Sequence, residues 1–394
     1  MKFALAFSAL AASTAVTALY IPEPKIKEPV YTIELAPGET KLVTESEKWE
    51  LLGQGKHFID ITDYQHIDSR RVQVSAVAFP TSVTHQDVVK PLISKLSANN
   101  IQSTLQKYTS FNNRYYKSAT GKEAAEWLLQ QVQGVILNAG TGNSTRVAAS
   151  VKPFVHPNWG QTSVIATIPG QSANTIVVGS HLDSINLRNP TSGRAPGADD
   201  NGSGSMTILE TFRALLSDPQ VAAGQAPNTI EFHWYAAEEA GLLGSQAIFA
   251  AYKKEGRQVK AMLNQDMTGY VKGTLDANQP EALGVVTDNV DKNLTAFIKK
   301  VIAAYCAIPS VDTRCGYACS DHASANRNGY PSSFVIESAM EYSSELIHST
   351  GDTIETVSAE HMLEHAKMSL GFAYELGYAE EKIPCVYTPM THLH

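Results

Sequence analysis

The chain has 394 residues, 43% hydrophobic and 18% charged, a balance that fits a globular protein and excludes a disordered or fibrous one. A formal net charge of −8 with no basic tract excludes the electrostatic footprint of a nucleic-acid or anionic-membrane partner.

The chain begins "MKFALAFSALAASTAVTALY", with an early Lys2, an apolar centre and small residues at Val16 and Ala18. This reads as a secretory signal peptide over residues 1–18, cleaved after Ala18, which makes the protein secreted and extracellular. The alternative, a membrane anchor, is weakened because the apolar stretch falls short of the ~20 residues a span needs. Residues 19–87 are rich in charged and β-prone residues ("VYTIELAPGETKLVTESEKWELL", "FIDITDY") and hold no cysteine and no cluster of metal-ligand types. We read them as a small pro-region, with a permanent N-terminal subdomain as the alternative, ahead of a catalytic domain over residues 88–394.

Within that domain a helical pattern at 124–136 precedes β-rich runs at 163–170 and 175–184. A helix at 203–218, a strand at 229–238, a helix at 241–256 and a strand at 259–267 follow. The series ends with a helix at 291–306, a strand at 332–338 and a helix at 358–378. Short apolar strands alternating with helices predict an α/β fold, a three-layer α/β/α globule around a mostly parallel mixed sheet.

In a secreted chain the four cysteines suggest disulfides. Cys315 and Cys319 in "CGYACSDH" could form a metal knuckle or a short loop disulfide, and the disulfide is favoured because no partnering pair follows. Cys306 and Cys385 remain as a pair that sequence alone does not establish. Sequons occur at Asn143, Asn201 and Asn293. Asn143 and Asn293 are expected to carry glycans, while Asn201, crowded beside a candidate ligand, is expected to carry none.

Ligand sites in such sheets lie outside the carboxyl ends of the strands. "VVGSHLDS" ends at His181 and Asp183, "FHWYAAEE" at Glu238 and Glu239, and "AMLNQDM" at Asp266. The loop "RAPGADDNGSGS" sets Asp199 and Asp200 before a helix, and "ELIHSTGDT" supplies His348. Singly, each could be a cap, a turn residue or a buried histidine. Acidic or imidazole groups ending three successive apolar strands are not what random capping produces. Crowded carboxylates without Lys or Arg call for a metal, and mixed His and carboxylate ligands suit zinc or, less specifically, manganese or cobalt. Two histidines and three carboxylates are too many for one tetrahedral ion and fit two ions sharing a carboxylate. Asp183, on the same side of an extended strand as His181, could accept the second imidazole N–H.

The motifs "SHLDS", "APGADDNGSG", "YAAEEAGLLGS", "NQDMTGY", "CGYACSDHAS" and "IHSTGDT", in this order, resemble the secreted two-zinc aminopeptidases of bacteria and fungi, metallopeptidase family 28. The likeness spans nearly the whole chain and is greatest to the fungal leucine aminopeptidases that carry a signal peptide and pro-region. The resemblance implies two zinc ions held by His181, Asp200, Glu239, Asp266 and His348, with Asp200 bridging. It further implies Glu238 as catalytic base, Tyr317 as an oxyanion stabiliser, and a disulfide from Cys315 to Cys319. The expected substrates are peptides with a free N-terminus, attacked by a monomeric enzyme. An apolar pocket of Met267, Ile336, Met340 and Ile347 would favour leucine and other large apolar residues. Three alternatives stay open: a carboxypeptidase holding its substrate through Arg188, Arg194 or Arg327, a glutaminyl cyclase-like enzyme, and a non-catalytic binding ectodomain.

Overall fold

The computed structural model describes residues 28–67, 74–141 and 147–380. The signal-like residues 1–18, the sequon at Asn143 and Cys385 lie outside the described residues.

The N-terminal segment forms a small antiparallel sheet from Val30–Ala36 (β1), Glu39–Thr44 (β2) and Ile59–Asp60 (β3), in the order β2-β1-β3. A helix, Glu45–Gly53, starts directly after β2. Thr44 and Glu47 fix its start reciprocally: the Thr44 hydroxyl accepts the Glu47 N–H, and the Glu47 carboxylate accepts the Thr44 N–H. Ile33, Val43, Leu51 and Phe58 give this segment a core of its own.

The remaining strands are Ser150–Phe154 (β4), Ser163–Ile168 (β5), Asn174–His181 (β6), Thr229–Tyr235 (β7), Gln258–Gln265 (β8), Leu283–Val286 (β9), Ser310–Thr313 (β10) and Ser332–Ile336 (β11). They build one sheet in the order β10-β9-β11-β8-β6-β7-β5-β4. Its centre, β11-β8-β6-β7, is parallel, while β4, β5 and the β9–β11 join are antiparallel. Central strands buried on both faces carry apolar residues at nearly every position, as "TIVVG" does in β6. Helices Ala98–Tyr108, Gly204–Leu215, Lys292–Tyr305 and Ala359–Gly377 cover one face. Leu243–Glu255 and His322–Arg327 cover the other. This is the expected layering.

The predicted central strands and long helices match the observed ones to within a few residues. Short β4, β9 and β10 carry no periodicity long enough to read. The boundary expected at residue 87 falls inside the first turn of the helix Gln86–Ile93. No helix of the described residues is long and apolar enough to cross a membrane.

Candidate metal centre

The parallel strands deliver their last residues to one edge of the sheet. His181 ends β6, Asp266 directly follows β8, and Glu238 and Glu239 lie just beyond β7. Asp200 sits in the loop entering the helix Gly204–Leu215, and His348 in the loop beyond the short turn Met340–Tyr342. Three residues on or beside these positions, Ala237, Met267 and His348, have φ near +55°. Non-glycine residues take up that conformation at a cost of about 1–3 kcal/mol each, and such strain concentrates at functional sites.

The side chains converge as two triads that share one carboxylate. His181 Nε2 lies 3.1 Å from Asp200 Oδ1 and 3.1 Å from Asp266 Oδ1. His348 Nε2 lies 3.0 Å from Asp200 Oδ2 and 2.9 Å from Glu239 Oε2. Each triad, His181–Asp200–Asp266 and Asp200–Glu239–His348, brings its ligand atoms close enough to hold one metal ion. Asp200 turns one oxygen to each. All five residues foreseen as ligands therefore meet, and Glu238 stands beside them, Oε2 4.0 Å from His181 Nε2.

The charges of this cluster are unbalanced. Burial favours neutral Glu238 and holds its carboxyl well above the usual range; His181 opposes this, and the negative Asp266 adds to it. Burial likewise pushes Glu239 up to about 7, with Asp200 reinforcing and His348 opposing. For Asp200 burial works upward too, but both imidazoles outweigh it and keep the carboxylate ionised. Burial disfavours the charged forms of His181 and His348, yet the surrounding carboxylates raise both well above an ordinary histidine. Among the described residues lining the cleft there is no lysine or arginine. Such a donor set fits a divalent cation, and the buried Glu239 Oε1 has no other partner.

Asp183 stands beside the second ring nitrogen of His181, where the strand pattern sets it, and has a further task. Its Oδ1 lies 3.4 Å from His181 Nδ1, a long contact whose geometry falls short of a hydrogen bond. Oδ1 also accepts the Glu238 N–H at 3.0 Å, and Oδ2 accepts the Glu239 N–H at 3.3 Å. Two further supports were not foreseen. Ser320 donates to Asp266 Oδ2 at 2.6 Å and itself accepts from Asn264. Asn201 is fully buried; its Nδ2 donates to Ser180 Oγ and Gln265 O, and its Oδ1 accepts from Gly204 and Met267. That amide nitrogen has no room for a glycan. Asn293, by contrast, is exposed at the start of its helix.

The cluster opens into a cleft of about 400 Å³. Met267, Ile336, Met340 and Ile347 come together there with Phe334 as one apolar wall. A larger hollow of about 710 Å³, between Leu243–Glu255 and Tyr64–Ile67, contains none of the candidate ligands. A disulfide joins Cys315 to Cys319, and the Tyr317 between them lines the cleft. The N-terminal segment lines it as well, through Leu52, His57 and Phe58.

The sequence model of peptidase family M28 matches residues 163–373. The chain is 57% identical over 351 residues to leucine aminopeptidase 1 of Colletotrichum graminicola, covering 89% of this chain and 86% of that relative. It is 54% identical over 384 residues to leucine aminopeptidase 1 of Fusarium vanettenii, covering 96% and 97%. Among solved structures, the LapA aminopeptidase of Legionella pneumophila superposes with a TM-score of 0.76 at 31% identity, over 91% of this chain and 96% of that one. A glutaminyl cyclase of Porphyromonas gingivalis shares the fold alone, with a TM-score of 0.56 at 16% identity over 72% of this chain and 99% of that one. The chain therefore belongs to peptidase family M28 and is an enzyme, a hydrolase of peptide bonds. Within that family it stands with the aminopeptidases.

Proposed function

We propose that the protein is a secreted, monomeric zinc aminopeptidase that removes leucine and other large apolar residues from the amino ends of peptides. The observation that carries this reading is the Asp200 carboxylate, shared between two triads with Glu238 alongside. His181, Asp200 and Asp266 would hold one zinc ion, and Asp200, Glu239 and His348 a second. Ions bound there would polarise the scissile carbonyl and lower the pKa of an attacking water.

Glu238 takes a proton from that water as its oxygen bonds to the carbonyl carbon. It returns the proton to the departing nitrogen as the C–N bond breaks, a role worth ~10²–10⁴ in rate. Asp183, by holding two successive amides, keeps Glu238 and Glu239 turned to their separate tasks. Tyr317 donates its hydroxyl to the developing oxyanion. The apolar wall receives the substrate's first side chain, and the negative cluster favours its free ammonium.

The preference for leucine rests on the relatives' names and on that wall. Secretion rests on residues 1–18, and glycans are assigned to Asn143 and Asn293. Residues 19–87 are read as a pro-region that covers the cleft until removed, because Leu52, His57 and Phe58 line its mouth. Purified mature protein should hydrolyse leucine p-nitroanilide but not its N-acetyl form, and a chelator should abolish the activity. Hydrolysis of the acetylated substrate, or full activity after metal removal, would overturn the reading.

A further inference from the structure

Two buried, oppositely charged residues grip the backbone of the loop that presents Asp200. Arg114, fully buried and outside every motif singled out above, donates through Nη1 to Pro196 O and through Nη2 to Gly197 O at 2.7 Å. Its Nε donates to Leu182 O at 2.9 Å, next to His181. The guanidinium is steadied by the Tyr108 ring beneath it, 4.4 Å to the ring centroid. Asp352, only 1% exposed, grips the same loop from the other side of its peptide dipoles. Its Oδ1 accepts the Asp199 N–H at 2.9 Å and its Oδ2 the Asp200 N–H at 3.0 Å, while its backbone carbonyl accepts the Ala198 N–H at 3.2 Å.

The carbonyls of Pro196 and Gly197 point to the arginine, and the amides of Ala198, Asp199 and Asp200 to Asp352. Gly197 permits the close approach: its φ is +52°, and a Cβ there would meet Arg114 Nη2 at 2.6 Å and Asp200 O at 2.5 Å. Asp352 also belongs to the loop that carries His348, so it couples the shared carboxylate to a ligand of one triad. We infer that Arg114 and Asp352 are a pair of positioning residues that fix Asp200 so that its two oxygens serve both triads at once. The inference rests on the proposal that those triads hold metal.

The test is metal affinity measured by chelator competition, with the absorption spectrum of the cobalt-loaded protein as a second readout. Arg114→Lys keeps the charge but loses the fork that reaches three carbonyls. Asp352→Asn keeps the shape but sets an NH₂ group against one of the two amides. Each variant should bind metal ~10–100-fold more weakly and give an altered cobalt spectrum, the usual effect of losing a group that orients ligands. Combined, they should lose less than the product of the single effects, since they act on one loop. Unchanged affinity and spectrum in both, with only a lower melting temperature of the metal-free protein, would overturn the inference. So would failure of both to fold in excess metal, because the loop would then be serving the fold rather than the site. A wild-type protein that binds no metal would instead defeat the reading on which the inference rests.

Discussion

The imidazole of His57 lies flat against the phenol ring of Tyr317, centroids 4.1 Å apart and planes inclined by 13°. One ring belongs to the N-terminal segment and the other to the disulfide loop beside the proposed metal centre. A substrate carbonyl approaching the Tyr317 hydroxyl must contend with that stack. The unprocessed protein should therefore turn over leucine p-nitroanilide more slowly than the mature form. His57→Ala should raise the rate of the precursor, and Tyr317→Phe should lower kcat of the mature enzyme by ~10²–10³, the loss expected for one oxyanion donor. Equal rates for precursor and mature enzyme would remove the case for a covering segment.

Glu238 and Glu239 are neighbours in sequence with different surroundings, and their variants should separate. Glu238→Gln should retain metal and lose ~10²–10⁴ in kcat. Glu239→Gln, which alters the group 2.9 Å from His348 Nε2, should lose metal from that triad. Metal content and turnover measured on both variants decide the matter, and metal loss from Glu238→Gln would mean that the two roles are exchanged.

Acid stability should depend on a histidine packed behind the apolar wall of the cleft. His322 is completely buried against Phe334, and neither ring nitrogen has a hydrogen-bond partner. Burial drives its pKa down to about 3, against about 6.5 when unfolded. Between those values the unfolded chain binds the extra proton, so stability rises with pH. The contribution is complete above about pH 6.5 and is lost as the pH falls toward 3, by at most ~1.4 kcal/mol per pH unit. Thermal melts of metal-free protein over this range should show the slope, and His322→Leu should flatten it.

Substrate preference can be probed at Met340, which is half-buried on the apolar wall and lies outside the tightly packed core. Met340→Ala should reduce kcat/KM for leucine substrates relative to alanine substrates by ~10-fold or more, the scale of lost apolar contact in a pocket. An unchanged ratio would place the discriminating contacts at Phe334 and Ile336 instead.

Legibility in the sequence followed local pattern. Apolar strands that stop abruptly at ligand-type residues can be read without coordinates, so His181, Glu239 and Asp266 were visible together. The layering was visible for the same reason, since strand and helix alternate with clear periods. Arg114 and Asp352 were not, because each is a single polar residue whose partners are backbone atoms of a loop distant in sequence. The grip of Asp183 on the two glutamates was equally hidden. It depends on the chain turning sharply at Ala237, φ +55°, which no spacing rule announces. Ile336 is legible because it ends β11, whereas Phe334, two residues earlier on the same face, is not, since every residue of that strand is buried and no alternation marks the face.

Lys48 is fully buried beneath the loop that carries the two glutamates; it pairs with Asp60 and donates to the carbonyl of Ala240. Both members of that ion pair belong to the N-terminal segment. If the segment departs, this lysine and aspartate leave together, so neither is stranded without the other in the interior. Beneath that pair remain the neutral Ala240 and Gly241 carbonyls, which water can satisfy, whereas Arg327 and Lys117 lose Glu34 and Glu45, their partners in the segment. Removal of the segment would therefore uncover positive charge, at Arg327 and Lys117, on the face it leaves.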